Sequence, residues 1–173
     1  LFMRHSSLAD ALLPANLASR NYGTLLRYVL KKEMLWEPCF DVVGNRIPNY
    51  FVDRNASNNE TEIDNVGKLG TDLSANEGVV IYPEGTRFST KKRQALLDKC
   101  ANNANPELLK RVEHYTHVLP PRFGGPLKLL ERANPTDVVF MAHYGLDKAT
   151  HFADLLAGRV VGSKISIRLW RVS

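Results

Sequence analysis

Short runs of apolar residues alternate along the chain with longer stretches whose apolar positions recur at helical spacing. Leu25-Leu26-Arg27-Tyr28-Val29-Leu30 reads as a short buried strand with a basic end at Lys31-Lys32. Tyr50-Phe51-Val52-Asp53 is strand-like and delivers Asp53 and Arg54 into a polar loop over residues 56–60. Val79-Val80-Ile81-Tyr82 is the most strand-like run, with β-branched residues in succession as in a strand covered on both faces. Thr116-His117-Val118-Leu119, Asp137 to His143 and Lys164 to Trp170 read as further strands, and Leu1 lies in what reads as the end of another. Between them the pattern predicts helices. One runs from Leu8 to Ser19, interrupted at Pro14; a second starts at Glu33, is interrupted by Pro38 and closes at Gly44. Thr61 and Asp64 form a capping box for a helix to about Ala75, which Gly78 stops. Lys91 to Asn102, Pro106 to about Tyr115, Pro126 to Ala133 and a short piece near Phe152 to Ala157 complete the set.

Strands alternating with helices, most strands nearly continuously apolar, predict an α/β domain: a mixed, largely parallel sheet flanked by helices. In such sheets the ligand sits beyond the carboxyl ends of the strands. Asp53-Arg54, Glu84 to Arg87 and Pro120 to Arg122 all fall at such ends, which predicts a single site. The length suits one domain spanning residues 1–173, without internal repeats or low-complexity linkers. The chain opens in one strand and stops in another, at Arg171-Val172-Ser173, so it reads as a piece cropped from a longer protein.

Charge narrows the partners. The net charge of +5 implies an anionic partner or surface: nucleic acid, phospholipid headgroups or a phosphate-bearing substrate. No run of about eighteen apolar residues is present, so this segment does not itself span a bilayer as a helix. Cys39 and Cys100 fit neither a disulfide framework nor a metal-ligand spacing and read as buried small hydrophobes. His114 and His117 have the spacing of a metal pair but no evident partner set. Lys91-Lys92-Arg93 reads as a solvated face.

The candidate chemistry centres on Arg4-His5-Ser6-Ser7-Leu8-Ala9-Asp10. His5 is a base that titrates near neutrality, and Asp10 is a carboxylate able to orient it. Positions five apart diverge on a continuous helix and lie on opposite faces of a strand. The pair therefore meets only if His5 sits on a turn and Asp10 lies just inside the following helix, with Ser6 or Ser7 as its N-cap. The pair gains weight from Tyr82-Pro83-Glu84-Gly85-Thr86-Arg87, far along the chain. Arg54 and Arg87 offer planar forks suited to phosphate. Glu84 would accept from a substrate hydroxyl or orient an arginine, and Gly85 allows close backbone approach to a ligand. Together these groups suit transfer to the hydroxyl of an alcohol that also carries a phosphate. Neither serine sits in a strained nucleophile elbow, and no P-loop or dinucleotide fingerprint is present.

Four blocks in this order resemble the glycerolipid acyltransferases, the family that includes 1-acylglycerol-3-phosphate acyltransferase. His5-x-x-x-x-Asp10 resembles the catalytic His-x4-Asp block. Tyr50 to Arg54 resembles the second block, with Pro48 or Asn49 where many members carry glycine. Tyr82 to Arg87 resembles the Phe-Pro-Glu-Gly-Thr-Arg signature, with tyrosine for phenylalanine. Val118-Leu119-Pro120 resembles the fourth, and His117 to Arg122 followed by Gly125 is similar to the branch containing lysocardiolipin acyltransferases.

The resemblance implies that His5 is the general base on the acceptor hydroxyl and that Asp10 holds its ring. Arg54, Glu84, Gly85, Thr86 and Arg87 would bind the phosphate and glycerol of the acceptor, and Pro120 would line the acyl donor's path. It implies acyl-CoA or acyl carrier protein as donor, lysophosphatidic acid as acceptor, and no metal or other cofactor. It also implies a membrane-surface enzyme whose site faces the cytoplasm, anchored by a segment outside this stretch. Another lysophospholipid or glycerol 3-phosphate is the nearest alternative acceptor. A lipid hydrolase using the same pair on water, and a non-catalytic basic module for membrane or nucleic acid, are the competing classes; nucleic acid is not the expected partner. The oligomeric state is open.

Overall fold

The computed structural model describes residues 1–7, 9–36, 41–42, 44–53, 55–56, 58–102, 106–149 and 152–173. Six strands lie among them: β1 (Phe2–Met3), β2 (Leu25–Lys31), β3 (Tyr50–Val52), β4 (Glu77–Val80), β5 (Val138–Tyr144) and β6 (Ser166–Val172). Two three-stranded sheets, β3-β2-β4 and β1-β5-β6, join through a parallel bridge between Phe2 and Ile81. At that seam Ile81 N–H donates to the Leu1 carbonyl at 3.0 Å, and Met3 N–H donates to the Ile81 carbonyl at 3.1 Å. The pairings are parallel except β5 with β6, which is antiparallel. The domain is thus α/β, with a mixed and largely parallel sheet flanked by helices.

After β1 the chain takes a 3₁₀ turn, Ala9–Ala11, followed by α1 (Leu12–Pro14) and a π turn, Ala15–Arg20. Pro14 does not interrupt this segment. It lacks the N–H that would bond the carbonyl of Asp10, and the pattern changes there from α to π while the chain stays helical. The later helices are α2 (Asn59–Lys68), α3 (Thr90–Asn102), α4 (Pro106–His114), α5 (Gly124–Arg132) and α6 (Phe152–Leu156). A 3₁₀ helix, Lys32–Trp36, follows β2, while Pro38 and Cys39 lie outside the described residues.

Helix α2 and helix α5 cover the sheet face that carries the core. Val66, Leu69, Val79, Ile81 and Leu129 form that core, with Phe2, Val29, Tyr50, Val52 and Leu73 packed against it. Gly67 makes the helix–helix approach possible: a Cβ there would stand 2.7 Å from Lys128 Cγ and 3.2 Å from its carbonyl. An Arg132–Asp64 ion pair closes the same contact. Cys100 is buried.

Three expectations need correction. Helix α2 starts at Asn59 rather than Thr61, because the Asn58 side chain caps it by accepting from the Glu60 and Thr61 N–H groups at 3.0 and 3.3 Å. It ends at Lys68, and Gly78 is a strand residue paired with Leu26 rather than a stop. Residues 116–119 are not a strand; the Leu119 N–H that a ladder would have used donates to the Glu84 carboxylate at 2.8 Å. Within the basic run, Arg93 is partly buried and not a solvated charge. Its guanidinium donates to the carbonyls of Val112, Glu113 and Tyr115, satisfying the open end of α4.

Candidate active site

The carboxyl ends of β1, β2, β3 and β4 converge on one cavity of about 400 Å³. Apolar side chains of Val29, Leu30, Val52, Ile63, Val66 and Ile81 line much of it. His5, Lys31, Asp53, Glu62 and Arg122 bring the charged and titratable groups. This size and mixture suit a small amphipathic molecule.

His5 leaves the end of β1 with its backbone fixed by the 82–88 stretch. Its N–H donates to Glu84 Oε1 at 2.9 Å, and its carbonyl accepts from Phe88 N–H at 2.7 Å. The ring lies against Tyr82, with centroids 4.3 Å apart and planes tilted by 33°. Nδ1 stands 3.2 Å from both oxygens of Asp10. An ionised carboxylate only accepts, so Nδ1 carries the proton and the lone pair falls on Nε2. Asp10 is fully buried whereas His5 lines the cavity, so Nε2 is the nitrogen offered to a ligand.

Local backbone chemistry explains why the five-residue offset works. Asp10 Oδ2 accepts from the N–H groups of Ser6 and Ser7, both at 2.8 Å. Ser7 Oγ accepts from Ala9 N–H at 3.1 Å and donates to the carbonyl of Ala149. Ser7 and Asp10 therefore act as the two ends of a capping box, and the acid that caps the helix also orients the histidine. Ser7 Oγ is committed to these bonds and enclosed, which argues against it as a nucleophile.

The other expected site residues are placed as follows. Gly85 lines the cavity with φ +67°, beside the Arg122 side chain. Glu84 is buried, and both its oxygens meet backbone N–H groups, of His5 and Leu119. It joins three segments of the site rather than pointing a free carboxylate at a ligand. Burial pushes its carboxyl above the usual range, against the pull of those two N–H groups. Thr86 and Arg87 are not among the described lining residues. The Thr86 hydroxyl and Arg87 carbonyl accept from Lys92 Nζ at 2.8 and 2.9 Å. Pro120 follows Leu119 and is likewise absent from the described lining. Arg54 lies outside the described residues.

The fold adds Arg122 and Lys31 to the cavity wall. Arg122 arrives because its N–H donates to the Pro83 carbonyl at 2.8 Å, bringing the 120–125 stretch beside Gly85. At the rim Lys32 Nζ pairs with Asp53 Oδ2 at 2.9 Å, which raises the lysine and lowers the carboxylate. Burial and the Asp10 carboxylate raise the Tyr82 phenol, keeping it neutral.

A buried acid, a histidine oriented by it and an amphipathic cavity at strand ends form an arrangement chemically able to take a proton from a hydroxyl. The family model described as Acyltransferase matches residues 1–125, a span holding His5, Asp10, Glu84 and Arg122. The chain belongs to this acyltransferase family and is an acyltransferase enzyme. No solved structure matches it.

Proposed function

We propose that the protein transfers a fatty acyl group from acyl-CoA, or from an acyl carrier protein, to the sn-2 hydroxyl of 1-acylglycerol 3-phosphate, giving phosphatidic acid. The observation that carries this reading is His5 Nδ1 held 3.2 Å from Asp10 with the same ring lining the cavity. His5 Nε2 takes the hydroxyl proton as the oxygen attacks the thioester carbonyl. The tetrahedral centre collapses, the C–S bond breaks, and the thiolate leaves with the proton returned by the imidazolium. No covalent acyl-enzyme is needed, and no cofactor beyond the donor.

Arg122 and Lys31 would hold the acceptor phosphate, with Arg54 and the Glu84-Gly85-Thr86-Arg87 block assigned its phosphate and glycerol by family likeness. The apolar wall would take the glycerol and the start of the acyl chain. Tyr82 in place of phenylalanine keeps the aromatic face against His5. The net charge of +5 suits two anionic substrates at an anionic membrane surface, on its cytoplasmic side. Among the described residues no helix is long and apolar enough to cross a membrane.

An acceptor panel tests the assignment. Labelled long-chain acyl-CoA is offered with lysophosphatidic acid, lysocardiolipin, other lysophospholipids and glycerol 3-phosphate. Preferred labelling of lysophosphatidic acid is expected. Preference for another acceptor overturns the substrate but not the chemistry, and free fatty acid released without acceptor overturns both.

A further inference from the structure

Asp10 has a histidine on each side. His143 sits on β5, the strand paired with β1, and its side chain is fully enclosed. Its Nε2 stands 3.2 Å from the carbonyl oxygen of Arg4 and 3.7 Å from Oδ2 of Asp10. Both neighbours are acceptors, so Nε2 carries the proton and donates to the Arg4 carbonyl. The longer distance is too great for a second hydrogen bond, and on Asp10 the ring acts as an N–H dipole. His143 Nδ1 is buried without a hydrogen-bond partner among the described residues. The ring's hydrogen bonding is therefore confined to Nε2. The β5 backbone grips the same segment: the His143 carbonyl accepts from Arg4 Nη1 at 3.1 Å, and the Met141 carbonyl accepts from Arg4 N–H at 3.4 Å.

We propose that His143 is a positioning residue for acyl transfer: its neutral Nε2–H fixes the Arg4–His5 peptide and faces Asp10, so that the carboxylate meets His5 with part of its charge already compensated. The proposal rests on His5 acting as the base. The charged and titratable groups around this cluster are Arg4, His5 and Asp10 after β1, Tyr82 and Glu84 after β4, and Asp147 after β5. Of these, Asp10 stands near both imidazoles, 3.2 Å from His5 Nδ1 and 3.7 Å from His143 Nε2. Removing the His143 dipole leaves Asp10 more negative toward His5 and stabilises the His5 imidazolium. The acid limb of the kcat/KM profile then moves to higher pH.

The test compares His143→Phe, which keeps a planar ring and loses the donor, with His143→Gln, whose amide nitrogen reaches the Nε2 position. Phenylalanine should lower kcat about five- to tenfold, the equivalent of one lost hydrogen bond. KM should stay near its original value and the acid limb should move up. Glutamine should recover most of kcat and return the limb. In ¹⁵N spectra of the wild type, one of the five histidines should remain a neutral Nε2–H tautomer while exposed rings titrate. Wild-type kcat with an unmoved limb in His143→Phe would overturn the proposal. So would glutamine no better than phenylalanine at equal thermal midpoints, or five rings titrating alike. A His5→Ala variant that keeps activity would remove the base reading instead, and the tautomer spectrum would still decide where the His143 proton sits.

Discussion

Replacing Asp10 by asparagine separates its two tasks, because the amide could perform only one of them. The carboxylate serves two backbone donors through Oδ2 and His5 Nδ1 through both oxygens. An amide has one acceptor. Its oxygen should take the Ser6 and Ser7 N–H groups, since the reverse orientation would set an NH₂ against two N–H donors. The NH₂ then faces His5 and forces the lone pair onto Nδ1, leaving Nε2 protonated and useless as a base. Activity should fall by roughly two to four orders of magnitude. Stability should change far less. Two charge-assisted bonds become neutral ones, a loss of about 1 kcal/mol each, offset in part because a buried charge is removed. Asp10→Ala should be equally inactive but strands both serine donors, at about 1–3 kcal/mol each. At about 2–4 °C per kcal/mol for a domain of this size, alanine should melt clearly below asparagine. Acyl transfer and thermal unfolding, measured on both variants, decide the matter. Activity of Asp10→Asn within tenfold of wild type would refute the tautomer argument, and equal melting of the two variants would refute the capping argument.

Further consequences follow from the same contacts. Burial raises the Glu84 carboxyl, so the folded state holds that proton more tightly than the unfolded chain, whose ordinary value is 4.5. This group's stabilising contribution is present below that value and is lost as pH rises through the folded one. The stability of wild type relative to Glu84→Gln should therefore fall with rising pH above about 4.5, and a wild type that gains on the variant with rising pH in denaturant titrations would contradict it. Gly85→Ala should cost about 1–2 kcal/mol from the left-handed backbone at φ +67°, and its Cβ would stand 3.2 Å from Arg122 Cδ, read as a lower thermal midpoint. Arg122→Ala should raise KM for a phosphate-bearing acceptor about tenfold, the equivalent of ~1.4 kcal/mol, with little change in kcat. An unchanged KM would remove Arg122 from the phosphate site.

Local rules reach much of this fold. The β-branched run before Tyr82 and the apolar run after Leu25 are adjacent parallel strands, and Asp53 and Gly85, beyond strand ends as expected, line the cavity; Arg122 lines it too, but from a segment that is not a strand end. Asp10 is legible because its partner is five residues away and a capping box fixes the turn between them. Residues 116–119 mislead because an apolar run fits a strand pattern, while the acceptor that claims the Leu119 N–H is the buried side chain of Glu84. The same contact explains why Glu84 turns inward: two distant backbone donors, invisible to spacing, compete for its oxygens. His143 carries no local motif. It meets Arg4 across 139 positions, through the β1–β5 register that only the folded sheet reveals.

The proposed mechanism makes His5 the general base. Transfer of labelled acyl groups from acyl-CoA to lysophosphatidic acid, in bilayers, by wild type and His5→Ala tests it most directly, with thermal unfolding as the control for folding. Loss of about two to four orders of magnitude in rate by a variant still folded at the assay temperature is the predicted result. Equal rates in the two proteins would contradict it and take His5 out of the chemistry.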